Sequence, residues 1–403
     1  MPNTHRFVSS IKDICIDTWN ALSENAGPFL KYEFLVALEE SGSVTSQSGW
    51  QPHHLVIESD SGIIAAVPGF IKSHSYGEYV FDHSWANAYH QHGLDYYPKW
   101  IAAVPFTPVP GPRLLAKKTV SVGLIEAVIE ATETLNELVS SYHWLFVEQP
   151  LVAEFKMSGQ YLSRFGVQFQ WHNYNYESFD DFLAGLTSRK RKDIRKSRKQ
   201  LASAGVTIIQ KKGMEISASD MAHFVLCYQQ TYLKRSGHQG YLNEDFFHRI
   251  HSTMEENLLL VIAYQEEVPI ASALFFHDNT GLYGRYWGAL KDINGLHFAC
   301  CYFEGIDFAI QNKLPLFNPG TQGEHKILRG FEPIFCYSLH KLNEPAFHDA
   351  VARFLTQEQD HIVSYFNQAK EVLPYNADFA PKLKTTSTSE PFSDIHNHNE
   401  KNL

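Results

Sequence analysis

One short polar segment concentrates the side chains best suited to proton transfer and anion binding. The segment TQGEHKILRG, residues 321–330, places Glu324, His325, Lys326 and Arg329 within six positions. A carboxylate or an imidazole can accept a proton, so Glu324 or His325 is a candidate general base. Lys326 or Arg329 could hold a substrate phosphate, and we predict that Lys326 is also catalytic. The alternative is a solvated helix start with surface ion pairs.

A second candidate is the aromatic strand segment YGRYWG, residues 283–288. Side chains alternate along a strand, so Tyr283, Arg285 and Trp287 are expected on one face. A buried arginine needs an anionic partner, so we predict that Arg285 binds a donor phosphate or carboxylate. An internal salt bridge is the equal alternative. Tyr286 and Trp287, together with Gln322 of the first segment, are predicted substrate contacts.

Residues 73–99 form the densest group of hydroxyl, carboxylate and imidazole side chains in the first half. Such groups suit recognition of an acceptor that contains sugar or peptide groups. The residues that we predict to contact substrate are His74, Tyr76, Glu78, Asp82 and Tyr97. The alternative is a polar loop that covers an aromatic core. The histidines lack a metal-binding spacing, so no metal site is predicted.

Positive charge is concentrated in one predicted helix, SRKRKDIRKSRK, although the chain carries a net charge of −10. The net charge argues against binding of nucleic acid by the protein surface as a whole. At helical spacing Arg191 and Arg195 share a face, and we predict that they grip phosphate groups of CoA, of a nucleotide-linked precursor or of a tRNA acceptor stem. The alternative is a solvated helix that pairs with the acidic body of the protein.

The remaining composition indicates a protein of the reducing cytoplasm. A chain of 403 residues is long for a single core, so two domains are expected. Its five cysteines show neither disulfide nor zinc spacing, which favours free thiols. The N-terminus lacks a signal-peptide core, and no apolar run approaches a membrane span. We therefore expect a cytoplasmic protein without a membrane anchor.

Two stretches of the chain share one pattern of elements. HHLVIES and IIAAVPGFI form a predicted hairpin, followed by a predicted aromatic strand, GEYVFDHSW. LLLVIAY, IASALFF and LYGRYWGAL repeat this order in the second half, and a helix and a short strand follow. We interpret the similarity as an internal duplication. The polar tail from Pro381 onward is predicted to be disordered.

The chain resembles the bacterial FemAB-like predicted N-acyltransferases, which are peptidoglycan-related. The resemblance rests on KSHSYGEYVFDHSWANAYHQHGLDYYPKW, AVPFTPVPGPRLL, SRKRKDIRKSRK, YGRYWG and TQGEHKILRGFEP. It implies an α/β chain of the α+β type, with two tandem GNAT-like (acyl-CoA N-acyltransferase) domains whose mixed sheets are flanked by helices. We expect the domains at 1–170 and 171–380 and the tail at 381–403.

The resemblance also implies transfer of an acyl or aminoacyl group to an amine, with a peptidoglycan precursor or related metabolite as acceptor. The donor substrate is expected to be acyl-CoA or aminoacyl-tRNA, with no tightly bound cofactor. CoA-using GNAT enzymes carry an R/Q-x-x-G-x-G/A loop, which GALKDINGLHFACC lacks. Fem-type enzymes also lack it, use aminoacyl-tRNA, and carry a lysine before a Gly-Phe pair that Lys326 or Arg329 matches. The alternative is a non-catalytic ligand-binding protein that retains the GNAT fold.

Overall fold

The computed structural model describes residues 4–117, 120–321 and 323–386. The strands are β1 (Thr4–Val8), β2 (Trp50–Pro52), β3 (His54–Ser59), β4 (Gly62–Val67), β5 (Gly69–Lys72), β6 (Lys99–Ala102), β7 (Leu115–Ala116), β8 (Ser141–Val147), β9 (Leu162–His172), β10 (Val206–Lys212), β11 (Leu258–Gln265), β12 (Val268–Asp278), β13 (Gly281–Ala289), β14 (Leu316–Asn318) and β15 (Glu332–Leu342). The helices are α1 (Ile16–Leu22), α2 (Tyr32–Glu40), α3 (His83–Gln91), α4 (Val122–Glu133), α5 (Gln149–Met157), α6 (Phe179–Ala184), α7 (Ser188–Ser203), α8 (Ala218–Ser236), α9 (Glu244–Thr253), α10 (Leu296–Phe298), α11 (Glu304–Gln311) and α12 (Pro345–Glu371). A π-helical turn, Ala299–Phe303, joins α10 to α11.

The described strands form one large sheet and one small one. The large sheet has eleven strands in the order β10-β11-β12-β13-β14-β9-β15-β8-β6-β5-β2. The small sheet has the order β1-β3-β4-β7. Within the large sheet β6 runs parallel to β8, and β13 runs parallel to β14. An antiparallel pair, a helix and a parallel strand thus occur in sequence twice, as the predicted duplication requires.

The two halves are joined through the middle of the large sheet. Strand β9 spans the predicted domain boundary at residue 170 and pairs with β14 at one edge and with β15 at the other. Strand β15, from the second half, in turn pairs with β8 of the first half. Apolar side chains on both faces of these strands bury them between helices, so the sheet continues from one half into the other.

Helix α8 illustrates how local sequence sets the elements around the site. Its N-terminus is a capping box, in which Ser217 accepts from the Asp220 amide and the Asp220 carboxylate accepts from the Ser217 amide. It ends at Gly237, whose φ of 71° suits glycine. Phe224 and Tyr228, four residues apart, are buried on the face that packs against β12 and β13.

The predicted hairpin of HHLVIES with IIAAVPGFI is confirmed as β3 and β4, but it lies in the small sheet. The predicted third strand, GEYVFDHSW, is wrong. Residues 73–82 have no regular structure, and α3 begins at His83. The reason is that Glu78 and Asp82 both pair with the buried Lys99 of β6, whereas in a regular strand their Cα atoms would lie about 13 Å apart.

The first residues of the predicted disordered tail are part of the fold. Two short 3-10 helices, Ala380–Lys382 and Lys384–Thr386, lie against the start of β15. The amide and hydroxyl of Thr385 both donate to Glu332 Oε2 at 3.1 Å. A buried carboxylate is costly unless it accepts hydrogen bonds, so these two bonds favour the folded position of the segment. The rest of the predicted tail, 387–403, lies outside the described residues.

Across the described ranges, none of the helices combines the length and the apolar character needed to cross a membrane.

Candidate active site

Strands β13 and β14 diverge and leave a cavity between the two halves of the chain. Their parallel pairing covers two positions, Leu282 with Phe317 and Tyr283 with Asn318, after which β13 continues to Ala289. A cavity of about 520 Å³ lies beside this divergence, and we call it the reaction cavity. Tyr79 and Pro108 of the first half line it together with residues of the second half.

A β-bulge directs Arg285 into the reaction cavity. Leu274 pairs with Tyr286 and Phe275 with Gly284, so Arg285 is the extra residue of β13. The bulge breaks the predicted alternation, and Arg285, Tyr286 and Trp287 all line the cavity. Arg285 Nη2 donates to the Phe106 carbonyl at 2.6 Å, while its Nε is buried without a partner. No described carboxylate pairs with Arg285, so the alternative of an internal salt bridge is wrong for the described residues.

Lys326 is a buried cation at the floor of the reaction cavity. It lies on a 3-10 helix, Glu324–Arg329, and is 2% exposed. Its Nζ donates to the Gly320 carbonyl at 2.6 Å. Burial, reinforced by the positive charge of Arg285, lowers the pKa of Lys326 from 10.5 to about 7. A lysine in this environment exchanges its proton near neutral pH, as a group in acid–base or electrostatic catalysis requires.

His325 also lines the reaction cavity, and the Tyr302 hydroxyl fixes its ring. Tyr302 Oη lies 2.8 Å from His325 Nε2. Burial and the charges of Arg329 and Lys326 lower the pKa of His325, so the imidazole is neutral at pH 7 and can accept a proton. The predicted role of His325 as a base is therefore compatible with its position.

The other two residues of the segment turn away from the reaction cavity. Glu324 is exposed and accepts a hydrogen bond from the Tyr365 hydroxyl of α12 at 3.2 Å. Arg329 stacks on the Phe298 ring at 3.4 Å and donates to the His325 carbonyl. Neither residue belongs to the described lining of the reaction cavity. Gln322, the remaining predicted contact of this segment, lies outside the described residues.

The reaction cavity is electropositive. Its described lining contains three basic side chains that reach it from different elements, Arg235, Arg285 and Lys326. That lining includes no aspartate or glutamate. Unpaired cations in a partly buried site raise the local concentration of anions. The site therefore suits a ligand with phosphate or carboxylate groups, or a reaction in which negative charge develops.

Sequence reasoning missed the part of the site that α8 and the π-helical turn supply. Tyr232 and Arg235 of α8 and Tyr302 of the turn line the reaction cavity. The spacing of Tyr228 and Tyr232 along α8 was a visible signal, but it indicated only a packed helix face. Cys301 lines the cavity as well, and burial raises the pKa of its thiol well above the usual value, which opposes a role as thiolate nucleophile.

A basic cavity adjoins the reaction cavity on the side of α10. Its volume is about 380 Å³, and it shares Arg235, Trp287 and His297 with the reaction cavity. Lys234 and Lys291 add two further cations to its lining, against one carboxylate, Asp292. This region includes the segment that lacks the usual CoA-binding pattern.

The basic helix α7 does not reach either cavity through its predicted phosphate ligands. Arg195 is exposed and pairs with Asp180 at 2.8 Å. Arg191 donates to the Ala184 carbonyl and to the Ser188 hydroxyl. Both therefore lie on the outer surface of α7, and neither appears in the lining of the reaction cavity or the basic cavity.

The predicted acceptor surface of the first half divides into two sets of side chains. Glu78 and Asp82 are buried against Lys99, whose Nζ lies 2.8 Å from Glu78 Oε2 and also contacts Asp82 Oδ2. Burial raises the pKa of Glu78 to about 7, whereas Asp82 keeps a pKa below its usual range because Lys99 outweighs its desolvation. Tyr97 contacts the Ser75 hydroxyl at 2.8 Å, beside the same lysine.

The second set faces a separate open cavity. His74 and Tyr76 line it, together with Phe106 and Tyr241, and the Tyr76 side chain is 62% exposed. Tyr79, between the two sets, reaches the reaction cavity. The structure thus separates the predicted contacts into Lys99-linked residues with a structural role and residues that solvent or a ligand can reach.

Among residues 4–117, 120–321 and 323–386, no three histidine, cysteine, aspartate or glutamate side chains are grouped closely enough to hold a metal ion. The five cysteines are free thiols.

Solved structures of low sequence identity share this fold of mixed sheets flanked by helices. A conserved protein of unknown function from Bacteroides thetaiotaomicron superposes with a TM-score of 0.51 at 12% identity, over 84% of this chain and 100% of that one. FemX superposes with a TM-score of 0.50 at 10% identity, over 86% and 99% of the two chains. A tandem GNAT protein of the clavulanic acid biosynthesis pathway gives a TM-score of 0.47 at 9% identity, over 85% and 99%.

The family is established by sequence. The model of the FemAB-like family, described as peptidoglycan biosynthesis/recognition, matches residues 10–377, and the chain belongs to this family. No curated protein matches the chain at a significant level.

Proposed function

We propose that the chain is an N-acyltransferase that moves an acyl or aminoacyl group from an activated donor to an amine. The proposed acceptor is a peptidoglycan precursor or a related amine metabolite, in keeping with the family description. The observation that carries the proposal is the pair of cations Arg285 and Lys326 beside the neutral base His325, in a cavity whose described lining contains no carboxylate. Acyl transfer to an amine uses a base that accepts the amine proton and cations that stabilise the negatively charged oxygen.

The proposed roles follow from the chemistry of each step. The amine nitrogen attacks the acyl carbon, and the carbonyl oxygen gains negative charge. Lys326 in its protonated form and Arg285 stabilise this oxyanion or an adjacent phosphate. His325 accepts the proton that the attacking amine loses. Collapse of the intermediate breaks the bond to the leaving sulfur or ribose oxygen, which takes up the proton that His325 accepted and leaves as a thiol or hydroxyl.

The basic cavity supports a donor with phosphate groups. Arg235 lies in both cavities, and Lys234 and Lys291 extend the positive charge away from the reaction cavity. Both donors carry phosphates on the leaving group, at the far end of the pantetheine arm in CoA and beside the esterified ribose in tRNA. Acyl-CoA and aminoacyl-tRNA therefore both remain proposed donors, with no tightly bound cofactor.

The first test is calorimetric titration with acetyl-CoA, followed by transfer assays with acetyl-CoA and with leucyl-tRNA. The acceptor is a peptidoglycan stem pentapeptide with a free lysine amine. Lys326→Met is expected to lower turnover at least 100-fold, the usual scale for loss of one electrostatic stabiliser. Lys313→Met, at an exposed position, is the matched control and is expected to keep full activity.

A comparison within the polar segment separates catalysis from binding. His325→Asn is expected to lower the rate constant for transfer, while Glu324→Gln leaves it unchanged because Glu324 faces Tyr365. Saturable binding of either donor without transfer in any variant would favour the non-catalytic ligand-binding alternative. Equal transfer rates for the unsubstituted chain and Lys326→Met would reject the proposed mechanism.

A further inference from the structure

A further cavity adjoins the reaction cavity at residues that do not line the basic cavity. Its volume is about 220 Å³, and it shares Tyr79 and Thr321 with the reaction cavity. The basic cavity shares neither residue with it. The three cavities therefore form a series, with the reaction cavity in the middle. We call the third one the apolar cavity.

The walls of the apolar cavity favour an uncharged group. They are mainly aromatic and aliphatic, with Phe146, Phe165 and Val167 among them. Arg164 is the basic side chain of the described lining, and Glu358 neutralises it through contacts of 2.7 Å and 2.8 Å. A bidentate pair of this kind leaves no free charge to attract an ion. The driving force for binding here is burial of apolar surface.

One buried polar atom beside this cavity has no partner among the described residues. Gln168 is 3% exposed, and its Nε2 donates to the Pro108 carbonyl at 3.1 Å. A carbonyl only accepts hydrogen bonds, so the amide nitrogen must face Pro108 and the oxygen must face the other way. Gln168 Oε1 is buried without a hydrogen-bond partner, and Gln168 lines the apolar cavity. An unsatisfied buried acceptor is costly unless a ligand donates to it.

We infer that the apolar cavity is the subsite for the transferred group, and that it selects an apolar acyl group bearing one N–H or O–H donor for Gln168 Oε1. The inference rests on the proposed function. An activated donor is linear in the order leaving group, carbonyl, acyl chain. With the phosphates of the leaving group in the basic cavity and the carbonyl beside Lys326, the acyl chain continues into the apolar cavity. An aminoacyl group with an aliphatic side chain and a neutral α-amine meets both requirements.

The apolar cavity can be filled without straining the backbone. Gly166 of β9 lines it, and a Cβ at this position would lie 3.8 Å from Cys336 Sγ, an ordinary van der Waals distance. Gly166→Leu therefore places a side chain toward the cavity at a position that tolerates one. Gly123 of α4 is exposed, with open space around its Cβ position, so Gly123→Leu is the matched control.

The test measures binding of three small amides to the intact chain by saturation-transfer difference NMR. L-Leucinamide carries the apolar side chain and the amino donor, 4-methylpentanamide lacks the donor, and glycinamide lacks the side chain. Leucinamide is expected to bind at least tenfold more tightly than glycinamide, because its side chain is buried. Gly166→Leu should abolish this preference, and Gly123→Leu should preserve it.

A second variant tests the hydrogen bond. Gln168→Leu removes the acceptor, so leucinamide should bind about fivefold more weakly while 4-methylpentanamide is unaffected. Equal binding of leucinamide and glycinamide, absence of binding by all three amides, or indifference to Gly166→Leu would each overturn the inference. Leucinamide binding that Gly166→Leu abolishes, in a chain that transfers nothing, would retain the subsite and reject the proposed function. If Gly166→Leu transfers acyl groups with the same preference for acyl size as the unsubstituted protein, the subsite is rejected and the proposed function is retained.

Discussion

Replacement of Lys326 by methionine should make the protein more stable, and most strongly at acidic pH. The lysine pKa falls from 10.5 to about 7 because the folded protein buries the charge. Between these values the unfolded chain binds more protons, so the stability of the protein rises with pH in this window. Below about pH 7 the buried charge lowers the free energy of unfolding by its full amount. The difference between the two pKa values of Lys326 corresponds to roughly 5 kcal/mol. At pH 8.5 about 3 kcal/mol remains.

The substitution also removes a hydrogen bond, and this loss reduces the expected gain in stability. Loss of the contact from Lys326 Nζ to the Gly320 carbonyl costs about 1 kcal/mol at either pH. Lys326→Met should therefore be more stable than the unsubstituted chain by about 4 kcal/mol at about pH 6 and about 2 kcal/mol at about pH 8.5. The difference between the two pH values is independent of the hydrogen bond.

Urea denaturation at both pH values measures the effect, with Lys313→Met as the control because its ammonium group is exposed. The control should shift stability by less than about 0.5 kcal/mol and without pH dependence. If Lys326→Met is less stable at the lower pH, or gains the same amount at both, burial does not oppose the charge of Lys326. Stabilisation combined with loss of transfer would identify Lys326 as a residue kept for function at the expense of stability.

Two further predictions concern the framework around the site. Lys99→Met leaves the carboxylates of Glu78 and Asp82 buried without their cation, so it should lower the free energy of unfolding by about 3 to 5 kcal/mol at neutral pH; equal urea midpoints would refute the assigned role. A chain that ends at Ala380 loses the two hydrogen bonds from Thr385 to Glu332 and should be destabilised by about 1 to 3 kcal/mol relative to one that ends after residue 386. Equal melting temperatures of the two shortened chains would show that this contact contributes nothing.

Much of the fold could be predicted from periodicity and turn residues. The strand segments predicted within residues 258–290 are confirmed as β11 to β13. The long strand β9 was not predicted, and the segment that contains GEYVFDHSW was assigned as a strand although it is irregular before α3. Both errors have one cause. Partners far along the chain, β14 and β15 for β9 and Lys99 for residues 78–82, outweigh local preference.

The site was predicted by residue type, and the orientation of the side chains could not be predicted. His325, Lys326 and Arg285 line one cavity, and their catalytic and binding roles stay predictions. Glu324, in the same segment, points to α12 because consecutive side chains of a 3-10 helix point in different directions. Composition marks a residue as capable of chemistry, but the backbone path determines which neighbours it meets.

The sequence by itself determined the class of fold and marked the polar segment 321–330 as a candidate site. These properties follow from local patterns of hydrophobicity, turn residues and charge. The tertiary structure alone decided that Arg285 is a bulged residue, that Lys326 is buried, and that Gln168 keeps a buried acceptor without a partner among the described residues. Burial, and with it the shift of a pKa or the need for a hydrogen-bond partner, depends on residues distant in the chain that meet only when the sheet is assembled.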